Sequence, residues 1–344
     1  MLRHKPRSAL AGANGLAHAS AADFCRNESS VERSGASEEM EHYHETVLRE
    51  ESVHYMAAAE GKVLVDGTLG GGGHTQRMLE LGATVYGIDQ DPEALEYAGR
   101  RLRNFSETFH PVKGNFTNAL ELMRENGQEK VDGILVDLGV SSRQFDEAAR
   151  GFSFSKEGPL DMRMSDEGIT AADIVNTWDD AALAKVFWEY GEERSSRKIA
   201  RMICAERDKQ PFTTTTQLAE SIEKICPRHG KKLHPATKVF QALRIEVNDE
   251  LGALRGLLDT AADLLNSGGR LCVISFHSLE DRMVKRFLKQ VSQEEIDRPE
   301  WPAPRPNPDY KFKTLTRKPV KASEDEITRN ARSRSAVLRV GERI

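Results

Sequence analysis

The chain has 344 residues and a formal net charge of −5, and 38% of its residues are hydrophobic and 30% charged. This composition predicts a globular protein long enough for two domains, and the lack of any run of about 18 apolar residues excludes a membrane-spanning helix. The four cysteines lie far apart without a Cys-x-x-Cys pair. We therefore expect no metal site and a reducing, cytoplasmic compartment.

Residues 1–40 show no periodic pattern of apolar side chains and are rich in Ala, Ser, Arg and Glu. Such a segment buries too little apolar surface to fold, so we predict a disordered N-terminal extension. Its acidic residues, and the lack of an apolar stretch after the first basic residues, argue against a targeting signal. Residues 41–59 then predict an entry segment followed by a helix.

Residues 61–92 predict a strand, a glycine-rich turn, a helix and a second strand. Residues 62–66 and 83–88 are short apolar runs, which are typical of buried parallel strands. Between them, residues 70–73 are all glycine, so the backbone can adopt positive φ and approach a ligand closely. Asp89 lies about 20 residues past these glycines, where a ribose hydroxyl would be bound. The segment is half of a nucleotide-binding βαβ unit.

The glycine-rich turn does not by itself identify the nucleotide, because NAD, FAD and S-adenosylmethionine (SAM) sites all use one. Asp66 ends the first strand, where its charge would repel a pyrophosphate but attract the sulfonium and ammonium groups of SAM. The run DGTLGGGG also departs from the G-x-G-x-x-G register of dinucleotide sites. These observations favour SAM; NAD, or a turn needed only for packing, stays an alternative.

Helices and strands continue to alternate up to about residue 146. We predict helices over 92–105 and 118–127, and strands over 109–112 and 131–136. This alternation is typical of a parallel, doubly wound sheet.

The alternation stops in residues 147–248, which carry only loop and helix patterns. The sheet pattern then resumes and includes a strand over 270–276 and a last strand over 335–340. The chain is therefore predicted to be an α/β protein in which residues 41–146 and 249–344 form one discontinuous domain and residues 147–248 an all-helical insertion. Helices are expected over 171–178, 180–208, 214–226, 234–248, 251–265 and 280–289.

Several residues follow the predicted strands, at the edge where open α/β sheets bind ligands. Asp89 is the candidate for a ribose, and Phe116 for an apolar wall against an adenine ring. Asp137 ends an apolar strand, where an acid is costly unless it is paired or faces a ligand. His277 is either a base or a structural histidine. His74, within the glycine turn, must point at the ligand or at a neighbouring strand.

Positive charge is concentrated locally despite the negative total. Basic clusters lie at 194–201 and 228–234 and in the C-terminal part, 305–344. Such clusters suit a phosphate backbone and favour a nucleic-acid partner, although most basic runs are simply solvated surface.

A set of sequence segments together points to one family. They are HETVL (44–48), DGTLGGGGH (66–74), GIDQDP (87–92), DLGVSS (137–142), RGFSFSKEGPLDMRM (150–164), YGEER (190–194), HPATKVFQALRI (234–245), ISFHSLEDR (274–282) and NARSRSAVLR (330–339). On these segments, the chain resembles the RsmH/MraW family, the bacterial SAM-dependent methyltransferases that modify N4 of a cytosine in 16S ribosomal RNA. The resemblance begins at about residue 41.

The resemblance implies a class I SAM-dependent methyltransferase fold, a Rossmann-like doubly wound sheet. It also implies a substrate near the decoding site of 16S ribosomal RNA in the small ribosomal subunit, and a homodimer. The cofactor contacts that it implies are Gly72, Gly73, His74, Asp89, Phe116, Asp137 and Gln144.

Methylation of cytosine N4 is demanding because the lone pair of this nitrogen is delocalised into the ring. The enzyme must place N4 about 3–3.5 Å from the methyl group and accept a hydrogen bond from it. Many amino-methyltransferases carry Asp/Asn-Pro-Pro-aromatic after strand four, whereas this chain has Asp137-Leu138-Gly139-Val140. Asp137 is the candidate acceptor, with a role toward SAM alone as the alternative. Phe152 or Phe154 is predicted to stack on the unstacked base, and His277 to lie near it.

Two functions of other classes stay open. One is an NAD-dependent oxidoreductase with a helical substrate domain, and the other is a SAM-binding, RNA-binding factor without turnover.

Overall fold

The computed structural model describes residues 46–228 and 233–344. The predicted N-terminal extension, the start of the HETVL segment and part of the basic cluster at 228–234 lie outside these ranges. Within the described ranges, none of the helices combines the length and the apolar character needed to cross a membrane.

A mainly parallel, eight-stranded sheet forms the centre of the fold, and a separate pair of short strands, β6 and β7, lies outside it. The strands are β1 (Val63–Asp66), β2 (Thr84–Asp89), β3 (Phe109–Lys113), β4 (Val131–Asp137), β5 (Leu265–Ser275), β6 (Glu295–Ile296), β7 (Arg305–Pro306), β8 (Phe312–Thr314), β9 (Val320–Lys321) and β10 (Val337–Arg343).

The order of the strands across the sheet is β3-β2-β1-β4-β5-β10-β8, with β9 also paired to β10. Strands β1 to β5 run parallel, while β10 is antiparallel to β5, β8 and β9. The order reverses between β1 and β4, so a crevice opens at the carboxyl ends of these two strands. The predicted doubly wound sheet is confirmed.

Thirteen α-helices are present in the described residues. They are α1 (Arg49–Met56), α2 (Gly73–Glu80), α3 (Pro92–Arg101), α4 (Ala119–Glu125), α5 (Ser142–Asp146), α6 (Ala171–Thr177), α7 (Asp180–Glu189), α8 (Ser196–Arg207), α9 (Thr215–Ile225), α10 (Thr237–Val247), α11 (Glu250–Leu264), α12 (Ser278–Val291) and α13 (Glu324–Arg329).

Helices cover both faces of the sheet, because successive side chains of a strand point to opposite sides. Ile134 and Val136 of β4 belong to one apolar cluster, together with residues of α4, α11 and α12. Leu135, between them, belongs to a second cluster with residues of α1, α2 and α3. The result is a three-layer arrangement with the carboxyl ends of the strands left open.

The helices α6 to α10 pack around a third apolar cluster of their own, which also includes Phe152, Leu160 and Met162. Among the described residues from 138 to 264 there is no strand, and only an isolated bridge joins Pro159 to Thr214. The predicted all-helical character of this part is therefore present.

The predicted continuous helix over 180–208 is wrong, because α7 and α8 are separate helices joined by residues 190–195. Glu192 adopts φ +48° there, in the left-handed region. Gly191 packs so closely against the carbonyl groups of Phe187 and Lys238 that a Cβ atom would not fit. The break is thus set by packing between helices, which the apolar periodicity does not report.

Smaller differences concern the ends of elements. Strand β5 begins at Leu265 rather than at 270, because Leu265 pairs with Val131 ahead of an irregularity in the ladder. Helix α5, helix α13 and the strands β6 to β9 were not predicted; each has six residues or fewer, too few to show a period.

Candidate cofactor and substrate site

A cavity of about 200 Å³ lies at the carboxyl ends of β1, β2 and β4. Its walls come from the glycine-rich turn, from the strand ends and from segments around residues 164 and 248 that flank the helical part. Among the residues that line it are Thr46, Val47, Thr68, Gly70, Gly73, His74, Asp89, Phe116, Asp137, Gln144, Met164, Asn248, Glu250, Phe276, Glu280 and Arg332.

The glycine-rich turn and Asp89 form one hydrogen-bonded unit. Asp89 accepts hydrogen bonds from the backbone N–H of Gly70 at 2.8 Å and of Asp91 at 2.9 Å. Burial raises the pKa of the Asp89 carboxyl to about 6, against the effect of these hydrogen bonds. Gly72 does not line the cavity itself, but its φ of +73° turns the chain into α2. A Cβ atom on Gly73 would collide with Thr46.

Asp66 lies beneath the turn and not on the cavity wall, which corrects its predicted direct role toward the ligand. Its carboxyl accepts hydrogen bonds from Thr75 Oγ1 at 2.7 Å and from the Thr68 N–H at 3.3 Å. Burial raises the pKa of Asp66 to about 6, although both hydrogen bonds oppose the shift. Asp66 thus positions the turn, since Thr68 is itself part of the wall.

His74 points at a neighbouring segment. Its Nε2 lies 3.0 Å from the carbonyl oxygen of Val47, and burial lowers the pKa of the imidazole to about 4. At neutral pH the ring is therefore uncharged, and it must carry its proton on Nε2 to donate to the carbonyl. This bond holds residues 46–47 against the cavity.

Phe116 and Gln144 both line the cavity, and hydrogen bonds within their own segments hold them in place. Phe116 opens a short 3₁₀ helix after β3, which Asn115 caps by accepting a hydrogen bond from the Thr117 N–H at 3.0 Å. Gln144 forms a capping box with Ser141, and its amide donates to Asp91 Oδ2 at 3.2 Å.

Asp137 lies on the cavity wall with a buried carboxyl group that lacks, within the part of the chain that the structure describes, both a hydrogen-bond donor and a neighbouring cation. Its Oδ1 atom is buried and finds no hydrogen-bond partner among the described residues. Burial, followed by the neighbouring charges of Asp66 and Glu280, raises the pKa of the Asp137 carboxyl well above its ordinary value. An unsatisfied carboxyl oxygen on a cavity wall is costly unless a ligand group donates to it.

Next to Asp137, a group of ionisable side chains lies at one end of the cavity. The Glu280 carboxyl lies 3.0 Å from His277 Nε2, and Glu250 accepts two hydrogen bonds from the Arg244 guanidinium at 2.7 and 2.9 Å. Burial alone would raise the pKa of Glu280, but His277 and Arg244 hold it below its ordinary value. His277 supports Glu280 and does not itself line the cavity.

The donor atoms of Glu250, His277 and Glu280 lie within 4.8 Å of one another, a grouping that could hold a metal ion. Arg244 already bonds to both carboxylate oxygens of Glu250, so its guanidinium pairs with one of the two glutamates of this group.

The two phenylalanines predicted to stack on a base lie elsewhere. Phe152 is only 6% exposed and belongs to the apolar cluster of the helical part. Phe154 packs against the rings of His234 at 4.7 Å and Phe240 at 4.8 Å, measured between centroids. Neither lines the cavity. Their placement supports a packing role and gives the stacking prediction no support.

Phe276 is the aromatic side chain that the sequence analysis did not single out. It lines the cavity and packs over the turn after β4, where a Cβ atom on Gly139 would lie 3.3 Å from Phe276 Cδ2. Arg332 was also missed; it donates a hydrogen bond to Asp146 at 2.7 Å. Both lie in segments that carried the family resemblance, which was the available signal.

Comparison with known proteins identifies the family of this chain. Residues 41–344 match the model of the MraW methylase family. The chain belongs to the MraW methylase family.

Relatives of the MraW methylase family match almost the whole chain. A protein of Deinococcus radiodurans named ribosomal RNA small subunit methyltransferase H is 53% identical over 300 residues, covering 87% of this chain and 89% of its own. A protein of the same name from Carboxydothermus hydrogenoformans is 46% identical over 308 residues, covering 89% and 99%. The resemblance found in the sequence is confirmed, and with it the class I fold and SAM as the cofactor. Family membership does not favour an NAD-dependent oxidoreductase.

Proposed function

We propose that this protein transfers the methyl group of SAM to N4 of a cytosine in the 16S ribosomal RNA of the small ribosomal subunit, near the decoding site. Relatives that match 87–89% of the chain carry the name ribosomal RNA small subunit methyltransferase H. The observation that carries the N4 chemistry is the buried, unpartnered carboxyl oxygen of Asp137 on the cavity wall.

The cavity fits SAM by the chemistry of its donors. Asp89 offers a carboxylate to the ribose hydroxyls, Phe116 an apolar wall to the adenine, and residues 72–74 the turn that surrounds the methionine part. The cavity is lined by several acids and one cation, Arg332, which suits a ligand with positive sulfonium and ammonium groups. Bound SAM supplies an electrophilic methyl carbon.

Asp137 is proposed to accept a hydrogen bond from the N4 amino group and then its proton. The hydrogen bond draws the amino group out of conjugation, so that the N4 lone pair can form a bond to the methyl carbon as the carbon–sulfur bond breaks. A carboxylate with a raised pKa binds the released proton more tightly than an ordinary one, and it must be ionised when the cytosine binds, a state that the positive sulfonium of SAM favours. The burial that raises the pKa of Asp137 therefore serves this step.

Phe276, in place of Phe152 or Phe154, is proposed to stack on the target cytosine. It follows β5, whose Ile274 is the register partner of Asp137, so that its ring and the Asp137 carboxyl share one end of the cavity. A base stacked on an aromatic ring gains about 1–3 kcal/mol. This gain helps to offset the cost of unstacking the base from the RNA.

The domain division is part of the proposal. Residues 147–248 would act as the substrate-recognition insertion, and residues 41–146 with 249–344 as the SAM-binding domain. The separate apolar cluster of the helical part supports this division. A homodimer and a cytoplasmic location remain predictions; light scattering of the purified protein would test the first.

The deciding experiment incubates the purified protein with methyl-labelled SAM and small ribosomal subunits lacking the modification. We expect one label, on N4 of a single 16S cytosine near the decoding site, mapped by nuclease digestion and mass spectrometry. Tight SAM and RNA binding without label transfer would instead identify a binding factor without turnover. A parallel reaction with free 16S RNA shows whether the assembled subunit is required.

A further inference from the structure

A second concave surface lies outside the cofactor cavity, between α7 and α8 of the helical part. Its volume is about 790 Å³, and it is open to solvent. Its lining carries five cationic side chains and only one acidic side chain, Asp180. The cations are Lys185, Arg194, Arg197, Lys198 and Arg201. We call this surface the α7–α8 groove.

The cations of the groove form a cluster in which, among the described residues, none is held in an ion pair by a carboxylate. Arginines elsewhere on the surface, such as Arg77, Arg143 and Arg282, lie 2.9–3.2 Å from a glutamate. Within residues 46–228 and 233–344, none of the five groove cations forms an ion pair. Lys198 donates only to a backbone carbonyl, of Ile225, which leaves the charge uncompensated. Five like charges in one groove repel one another and attract a ligand of opposite charge.

The groove also exposes a tryptophan. Trp188 is 59% exposed, the highest value among the exposed large apolar side chains of the described residues. Its neighbours on α7, Val186 and Phe187, are buried in the helical cluster, so packing is satisfied without the indole. An exposed indole beside unpaired cations matches the pattern of a single-stranded RNA site, in which bases stack on aromatic rings and phosphates contact Lys and Arg.

The groove connects structurally to the cofactor cavity. Residues 190–195, whose last two line the groove, join α7 to α8. Within this loop, Glu192 accepts hydrogen bonds from Ser278 Oγ at 3.1 Å and from Arg282 at 2.9 Å. Both belong to α12, whose first turn carries Glu280 on the cavity wall. The loop thus fixes the groove relative to the substrate end of the cavity.

We propose that the α7–α8 groove binds a single-stranded segment of the substrate RNA, with a base stacked on Trp188 and phosphates held by the five cations. The proposal rests on the function proposed above, and it adds a second RNA site away from the reacting base. RNA fits this groove better than an acidic peptide does. Each nucleotide carries both a phosphate for the cations and a flat base for the indole, whereas the acidic residues of a peptide carry charge without a ring.

The first test uses the fluorescence of Trp188 in the full chain. Replacing the other two tryptophans by Trp178→Phe and Trp301→Phe leaves Trp188 as the only tryptophan, which is excited selectively at wavelengths that tyrosine does not absorb. Addition of a short single-stranded oligocytidylate should quench it, and added salt should reverse the quenching, since phosphate contacts are salt-dependent. Unchanged Trp188 emission at RNA concentrations that saturate the protein would overturn the proposal.

The second test measures RNA affinity by filter binding without relying on methyl transfer. The double variant Arg197→Glu/Arg201→Glu should lose about tenfold or more in affinity and show a shallower salt dependence. Arg100→Glu/Arg103→Glu, which reverses two exposed arginines outside the helical part, is the matched control and should bind like the wild type. SAM affinity should not change in either variant. Equal RNA affinity of the double variant and the control, or equally tight binding of polyglutamate, would overturn the proposal.

The two proposals fail separately. If RNA quenches Trp188 but the wild type transfers no methyl group to small subunits, the methyltransferase function fails and the groove stands. If methylation proceeds normally in the Arg197→Glu/Arg201→Glu variant at limiting RNA, the groove fails and the function stands.

Discussion

Arg150 Nη1 donates a hydrogen bond to Asp91 Oδ2 at 3.0 Å, and this pair joins the start of the helical insertion (residues 147–248) to the cofactor side of the molecule. Asp91 caps α3 through the Glu93 N–H, and its own N–H donates to Asp89. The side chains of Arg150 and Asp91 are 22% and 7% exposed. The pair is therefore largely desolvated, and each charge depends on the other.

We expect Arg150→Ala to lower the free energy of unfolding by about 3 kcal/mol, because it leaves the buried Asp91 carboxylate without its cation. Arg143→Ala is the matched control. Arg143 pairs with Glu93 at 3.2 Å, but these side chains are 43% and 52% exposed, so the loss should stay below about 1 kcal/mol. Urea denaturation measures both. Equal effects of the two variants would show that the Asp91 pair is not critical.

SAM binding should depend on pH through Asp89. Burial raises the pKa of its carboxyl to about 6, so below that pH the protonated group must release its proton before it can accept from a ribose hydroxyl. We expect constant SAM affinity above about pH 7 and a fall approaching tenfold per pH unit below about pH 6.

Calorimetry across this pH range tests the dependence on Asp89. Asp89→Asn should bind SAM more weakly and lose the pH dependence. Asp66→Asn should keep it, since Asp66 also has a raised pKa, of about 6, but lies off the cavity wall. If Asp66→Asn lost the pH dependence and Asp89→Asn kept it, Asp89 would not be the residue that binds the ribose.

Asp137 variants separate its two proposed duties. Asp137→Ala removes both the hydrogen-bond acceptor and the proton acceptor, so turnover should be abolished. Asp137→Asn keeps one acceptor oxygen but cannot take a proton at neutral pH, so kcat should fall by about 10²-fold or more. Single-turnover assays with saturating SAM measure both. Normal methylation by Asp137→Ala would refute the proposed role.

Phe276 and Phe152 give opposite expectations for the same substitution. Phe276→Leu should reduce kcat/KM for the RNA about tenfold through lost stacking, with little change in stability. Phe152→Leu should lower the free energy of unfolding by about 1–2 kcal/mol, since its ring is buried in the helical cluster. Its kcat/KM should stay unchanged at temperatures where the variant is folded. If Phe152→Leu lowered kcat/KM for the RNA and Phe276→Leu did not, Phe152 would be the residue that stacks on the base.

The parallel sheet could be predicted from the sequence because each of its buried strands is a short apolar run between turn residues. The same strand ends located Asp89, Phe116 and Asp137, and the structure brings all three to one cavity. Short elements such as α5 and β6 carry no measurable period. The break between α7 and α8 depends on how Gly191 packs against another helix, which a local pattern does not contain.

The substrate end of the site was harder to predict for a related reason. Phe276 and Phe152 both lie in segments with strong family resemblance, and no local pattern distinguishes the aromatic ring that reaches the cavity from the one that is buried. That choice depends on β5 lying next to β4. Likewise, Glu250 and Glu280 line the same cavity. Glu250 is there because α11 begins at the cavity, where the chain returns from the helical insertion (residues 147–248), and no local pattern shows this.

The cavity is closed by residues from both ends of the described chain. Thr46 and Arg332 line it together, the Leu48 N–H donates to Glu326 at 2.8 Å, and β10 pairs with β5 along six residues. During translation, β10 leaves the exit tunnel after every other strand of the sheet. A nascent copy therefore cannot complete the wall of its cofactor cavity until Arg332 has emerged, and the sheet behind that wall is complete only once β10 has followed.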